Sequence, residues 1–154
     1  IRDVAVTGVQ TCALPISVEI LYNTSDNHKK IAETIQQMWK ENLGVEAALF
    51  NQEWKVYLDN QQTKNYTVSR AGWIADYNDP NTFLDMFVTN GGNNHAGYSN
   101  AAYDTLIEAA KKETNVKKRL AIFQKAEDIL LEDLPVLPIY IYSRNYLLSK
   151  EAQG

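Results

Sequence analysis

Three strand signals alternating with two helix signals, all within residues 18–74, constrain this chain more than any single motif. Val18–Tyr22 is a short apolar run that ends in Asn23-Thr24-Ser25-Asp26, a polar helix entry. Apolar residues then recur at Ile31, Ile35, Met38, Trp39 and Leu43, the spacing of one helical face, and Gly44 supplies a stop. Val45–Phe50 reads as the next strand. Glu53 to about Gln62 reads as a short helix with Trp54, Tyr57 and Leu58 on one side. Tyr66–Ile74, rich in β-branched and aromatic residues, is the third strand. A β-α-β-α-β order over about 55 residues predicts an α/β fold with parallel strands joined by right-handed crossovers.

The third strand leads into the run Arg70–Phe87, where a loop carrying carboxylates is followed by a helix start. Asp79 is placed as the N-cap and Pro80 as the first helical residue. Asp76 and Tyr77 then fall just past the carboxyl end of a strand, where open α/β folds present ligand-contacting side chains. Arg70 and Asp76 lie at most ~20 Å apart along extended chain. A four-residue extended peptide spans roughly 13 Å, and two long side chains on a bent loop close the difference. A carboxylate at one end and a guanidinium at the other match a zwitterionic peptide, with Asp76 on the α-ammonium and Arg70 on the terminal carboxylate. Gly72, lacking a side chain, lets a bound backbone approach the strand edge. A plainer reading stands beside this one: Arg70 pairs with a neighbouring acid, Asp76 caps a turn, and Gly72 marks a bulge.

His28 falls in the first turn of the first helix. It is either a neutral surface residue or, when protonated, a second group holding a carboxylate, against the positive end of the helix dipole. Trp54 and Trp73 wall a pocket or pack in the core. His28 and His95 have no metal-ligand spacing, so no metal and no cofactor is expected. Asp76 with Asp79 is a poor carboxylate pair, because Asp79 is explained by Pro80 as a cap. Ser25, Asp26 and His28 lack a nucleophile elbow, and Gly91-Gly92 opens no helix that would cradle a phosphate. No enzyme is expected.

Beyond residue 90 the chain predicts a polar loop, two helices and an extended segment from Val136 to Leu148. Tyr103, Leu106, Ile107 and Ala110 share a face of the first helix; Leu120, Phe123, Ala126 and Leu130 share one of the second. Lys111, Lys112, Lys117, Lys118 and Arg119 read as a solvated turn between them. Net charge −4 and pI ≈ 5.2 give no footprint for nucleic acid or anionic membrane. No apolar run reaches the ~18 residues of a membrane span. Val6–Ile16 resembles a translated sequencing-adaptor read-through, so residues 1–16 are expected to be a non-native leader on a carboxyl-terminal fragment. The single cysteine, Cys12, falls inside it, and a cysteine-free remainder fits an oxidising compartment.

From Val18 to about Ser149 the chain resembles the bacterial oligopeptide-binding proteins, the extracytoplasmic solute-binding subunits of peptide ABC importers. The match is carried by Asn23-Thr24-Ser25-Asp26-Asn27-His28-Lys29-Lys30, Asn42-Leu43-Gly44-Val45, Asn51-Gln52-Glu53-Trp54-Lys55 and, above all, Arg70-Ala71-Gly72-Trp73-Ile74-Ala75-Asp76-Tyr77-Asn78-Asp79-Pro80. Tyr98-Ser99-Asn100, Tyr103-Asp104 and Pro138-Ile139-Tyr140 complete it. The resemblance implies a periplasmic-binding-protein type II-like fold. Residues 17–135 would form most of the second lobe, and 136–154 an extended crossover returning toward the first. It implies Asp76 on the peptide α-ammonium, Arg70 and His28 at the carboxyl-terminal end, and main-chain contacts at Gly72 and Ile74. Trp54 and Trp73 would line side-chain pockets, with Asn23 and Tyr142 also facing the ligand. Only Lys64 stands where some members carry a second arginine. The implied function is capture of short peptides for a membrane ABC permease by a monomeric protein, periplasmic or anchored at the cell surface as a lipoprotein. Alternatives are a dipeptide, a murein peptide, a nickel complex or haem on the same fold, or a hydrolase or peptide-sensing receptor.

Overall fold

A computed structural model describes residues 18–143, 147 and 149; the expected leader at 1–16 lies outside them, as do 144–146, 148 and 150–154. The chain divides into two compact units, residues 1–78 and residues 79–154.

In the first unit, β1 (Val18–Asn23) is the middle strand of a three-stranded parallel sheet of order β2-β1-β3. Its register against β2 (Ala47–Gln52) is unbroken from Val18↔Ala47 to Asn23↔Gln52. A central parallel strand is covered on both faces, which explains why its last four residues are all buried. Ile20 and Tyr22 point to one face and pack with Ala32, Ile35 and Trp39 of helix α1 (Asp26–Leu43). Leu21, pointing the other way, is also buried, and helix α2 (Trp54–Thr63) packs on β1. The sheet order accounts for both. The first crossover steps from β1 to β2 and the second steps back over β1 to β3, so two right-handed crossovers put their helices on opposite faces. Gly44 ends α1 in the left-handed conformation (φ 66°), its N–H returning to the last turn. Met38 and Leu43, expected on the apolar face of α1, are exposed; the packed stripe is narrower and runs through Ala32, Ile35 and Trp39.

The third strand is much shorter than predicted. Only Val68–Ser69 forms β3, opposite Ile20 and Leu21. The Arg70 N–H adds one bond to the Leu21 carbonyl at 2.8 Å. After that the Arg70 carbonyl is taken by the Tyr57 hydroxyl at 2.5 Å, and the chain leaves the sheet. Strand propensity in residues 71–74 has no partner strand among the described residues to satisfy it.

The second unit is helical. Helix α3 (Asn81–Leu84) and a 3-10 turn (Asp85–Phe87) lead by a loop to α4 (Ala101–Lys112) and α5 (Val116–Asp133). Its core is Leu84, Tyr103, Ile107, Ala110, Phe123, Ala126 and Leu130, largely the two helical faces read from spacing. Asn94 organises the loop: its amide donates to the Val88 and Tyr98 carbonyls at 2.9 and 2.7 Å and accepts from the Tyr98 N–H at 3.0 Å. Asp133 accepts from the Tyr98 hydroxyl and the Asn100 amide, tying the end of α5 to the start of α4. The expected return segment after Val136 forms no strand over its described residues 136–143. Pro138 has no N–H to give to one. No helix among the described residues is long and apolar enough to cross a membrane.

Candidate functional site

In a sheet of order β2-β1-β3, the chain leaves β1 toward one side and returns to it from the other. The carboxyl edge between β1 and β3 is therefore the topological switch point, where open α/β sheets bind ligands. Asn23 ends β1, His28 lies in the first turn of α1, and Arg70 follows β3. Arg70, distant in sequence from Asn23 and His28, meets them at this edge because the crossovers bring the ends of adjacent strands together.

Arg70 is held by its main chain. Its N–H goes to Leu21, and its carbonyl accepts the hydroxyl of buried Tyr57. Gln61 donates to Ser69 Oγ at 2.9 Å, bracing the preceding residue. Burial pushes the Tyr57 hydroxyl pKa up, against the opposing pull of the Arg70 charge. Tyr57, Gln61 and Ser69 are not among the residues that sequence reasoning selected. The available signal was Tyr57 itself, since a tyrosine on the apolar face of a helix needs a partner for its hydroxyl once buried.

His28 belongs to the same cluster. Burial pushes its imidazole pKa below the usual value, the Arg70 guanidinium pushes it further down, and a backbone hydrogen bond with Asn23 pulls it back up. The neutral form is thus favoured in the folded protein. As pH falls through the unfolded value of about 6.5, the unfolded chain takes up a proton that the folded chain resists until its own lower pKa. The contribution of His28 is present above that window and lost as pH falls through it. We expect denaturant midpoints of the parent protein to fall more steeply between pH 7.5 and 5.5 than those of a His28→Gln variant. Parallel pH profiles would refute this.

Asn23 is 9% exposed, and its Oδ1 is buried without a hydrogen-bond partner among the described residues. The half-buried Trp73 has its indole Nε1 in the same condition. Buried polar atoms left unsatisfied cost about 1–3 kcal/mol each, which marks this edge as polar ground rather than ordinary core. Trp54 is 55% exposed and stacks on Tyr57, ring centroids 5.5 Å apart at 25°. It lies outside the core.

Gly72, Trp73 and Ile74 lie on the stretch that has left the sheet. Residues 71–75 enter no backbone–backbone hydrogen bond with any described residue. Ile74 is 72% exposed. Asp76 is exposed in the bend 76–79 that follows. Tyr142 belongs to the other unit, half-exposed with its ring 5.0 Å from that of Tyr140. Among the described residues no group of three or more His, Cys, Asp or Glu converges as metal ligands would.

Residues 7–95 match the family described as bacterial extracellular solute-binding proteins, family 5 Middle. The periplasmic murein peptide-binding protein MppA of Escherichia coli is 44% identical over 140 residues, 91% of this chain and 26% of that protein. The oligopeptide-binding protein OppA of Bacillus subtilis is 41% identical over 138 residues, 89% of this chain and 25% of that one. The crystal structure of Haemophilus influenzae OppA in complex with RPPGFSPFR superposes with a TM-score of 0.81 at 42% identity, covering 83% of this chain and 25% of that chain. These relatives are named as binding proteins. The chain spans about a quarter of the length of the relatives it matches.

Proposed function

The chain belongs to family 5 of the bacterial extracellular solute-binding proteins and has their periplasmic-binding-protein type II-like α/β architecture, and on that premise we propose that it supplies one end of a site that captures short peptides for import. The observation that carries the reading is the stretch 71–75, which leaves the sheet beside the anchored Arg70 with no backbone–backbone hydrogen bond to any described residue. An extended peptide laid along it gains main-chain hydrogen bonds that read no side-chain sequence. Arg70, with His28 beside it, takes the peptide's carboxyl end, and Asp76 takes its α-ammonium. Trp54, Trp73 and Ile74 offer apolar surface to side chains, Gly72 admits the close backbone, and Asn23 and Tyr142 complete the contacts. Capture proceeds by closure of two lobes over the peptide, followed by delivery to a membrane ABC permease, with no bond broken. The protein acts outside the cytoplasm as a monomer, in the periplasm or anchored at the cell surface.

Calorimetric titration of the full-length parent protein tests this, with a pool of tri- to pentapeptides and the same pool N-acetylated. Free-amine peptides are expected to bind and acetylated ones to bind at least tenfold more weakly. Equal binding of the two pools would remove the α-ammonium from the reading; no binding of either would remove peptides.

A further inference from the structure

Arg119 was read as part of a solvated basic turn, and the structure turns it inward. Its guanidinium uses all three nitrogens. Nε donates to the Ala110 carbonyl at 3.1 Å, Nη2 to Asp79 Oδ1 at 2.8 Å, and Nη1 to Asp79 Oδ2. The plane of the group lies over Phe123, 4.7 Å from the ring centroid. Both partners are mostly covered, with side-chain exposures of 26% and 25%. Asp79 also accepts from the Asn81 N–H at 2.9 Å. The expectation of Asp79 as N-cap and Pro80 as first helical residue is corrected: α3 starts one residue later, at Asn81, with Pro80 in the N-cap position and Asp79 just before it. The carboxylate of Asp79 is therefore fixed in position and in plane, and Arg119 holds its pKa below the usual range.

Asp79 follows Asp76 by three residues, which span at most about 11 Å of chain. Asp76 is thus tethered with little slack to a carboxylate that is itself fixed by the Arg119 fork. We propose that Arg119 is a positioning residue for peptide recognition, setting the reach of the Asp76 carboxylate through its bidentate grip on Asp79. The proposal rests on the reading of Asp76 as the α-ammonium partner. Lysine cannot replace the fork, because one ammonium cannot hold both carboxylate oxygens and the Ala110 carbonyl in one plane.

The test is the ratio of affinities for free-amine and N-acetylated peptides, measured on the full-length parent protein, its Arg119→Lys and Asp79→Asn variants, and Ile107→Val. The last trims a fully buried core residue of the same unit without touching the anchor. Arg119→Lys is expected to reduce the ratio at least fivefold, chiefly through weaker free-amine binding, and Asp79→Asn to reduce it less, since it retains one acceptor for the fork. Ile107→Val lowers the melting temperature and leaves the ratio unchanged. A wild-type ratio in both anchor variants overturns the proposal and leaves the α-ammonium reading standing. A wild-type protein that does not discriminate overturns both. If Arg119→Lys does not fold, Asp79→Asn decides alone.

Discussion

Asp76→Ala in the full-length parent protein is expected to weaken free-amine peptide binding about a hundredfold, with little change for acetylated peptides. Removing one member of a desolvated, hydrogen-bonded charge pair costs about 2–5 kcal/mol, much of it from the charge left unpaired. At about 1.4 kcal/mol per tenfold, that range runs from tens-fold to thousands-fold. The carboxylate is exposed in the bend 76–79 of this chain, so on the proposed reading its strength as an anchor comes from closure of the full protein around it. Water then leaves and the effective dielectric falls. Asp76→Asn keeps an acceptor but no charge and is expected to fall between wild type and alanine. Calorimetry across a salt series measures both. An Asp76→Ala protein within threefold of wild type would make Asp76 a turn residue and send the search for the ammonium partner elsewhere.

Tyr103→Ala is expected to destabilise the folded protein by about 4 kcal/mol, the largest stability effect of any single change considered. Its side chain is 0% exposed at the centre of the second unit, with the Tyr98 ring edge-on at 5.6 Å. Truncating a buried aromatic residue costs about 3–5 kcal/mol in lost burial and residual cavity. The hydroxyl adds to this by donating to the Leu84 carbonyl, which truncation leaves without that donor. Burial, first of all, pushes the Tyr103 pKa far above its usual value, so the group stays a donor throughout any practical pH range. Tyr103→Phe keeps the ring and is expected to cost about 1–2 kcal/mol, the size of one lost buried hydrogen bond. Urea denaturation of the parent protein measures both. A loss under 1 kcal/mol for alanine would show that the helices repack around the gap.

Local periodicity carried most of the fold into the sequence. The switch from apolar strand runs to a helical stripe at Ile31, Ile35 and Trp39 marks the first crossover, and Gly44 its stop. Where the outcome depended on a distant partner, the sequence was silent or misleading. Residues 66–74 have uniform strand character, yet only two find a place beside β1, because Tyr57 claims the next carbonyl. Arg119 looked like its lysine neighbours, since nothing local announces a carboxylate 40 positions away. The site was legible as residue types, with the carboxylate, guanidinium and glycine of the 70–76 stretch standing out. The bonds that hold Arg70 and its neighbour were not, because Tyr57, Gln61 and Ser69 act through backbone, amide and hydroxyl groups that leave no charge pattern.

The grip on residue 70 has an evolutionary consequence. Leu21 and Tyr57 hold that position by its amide and its carbonyl, groups that every residue except proline possesses. The guanidinium is an interchangeable head on a fixed mount. On the proposed reading of Arg70 as the group that takes the peptide's carboxyl end, a mutation at 70 changes what is offered to the solute without moving the point from which it is offered, so solute preference would be free to shift there one codon at a time while the scaffold stays the same.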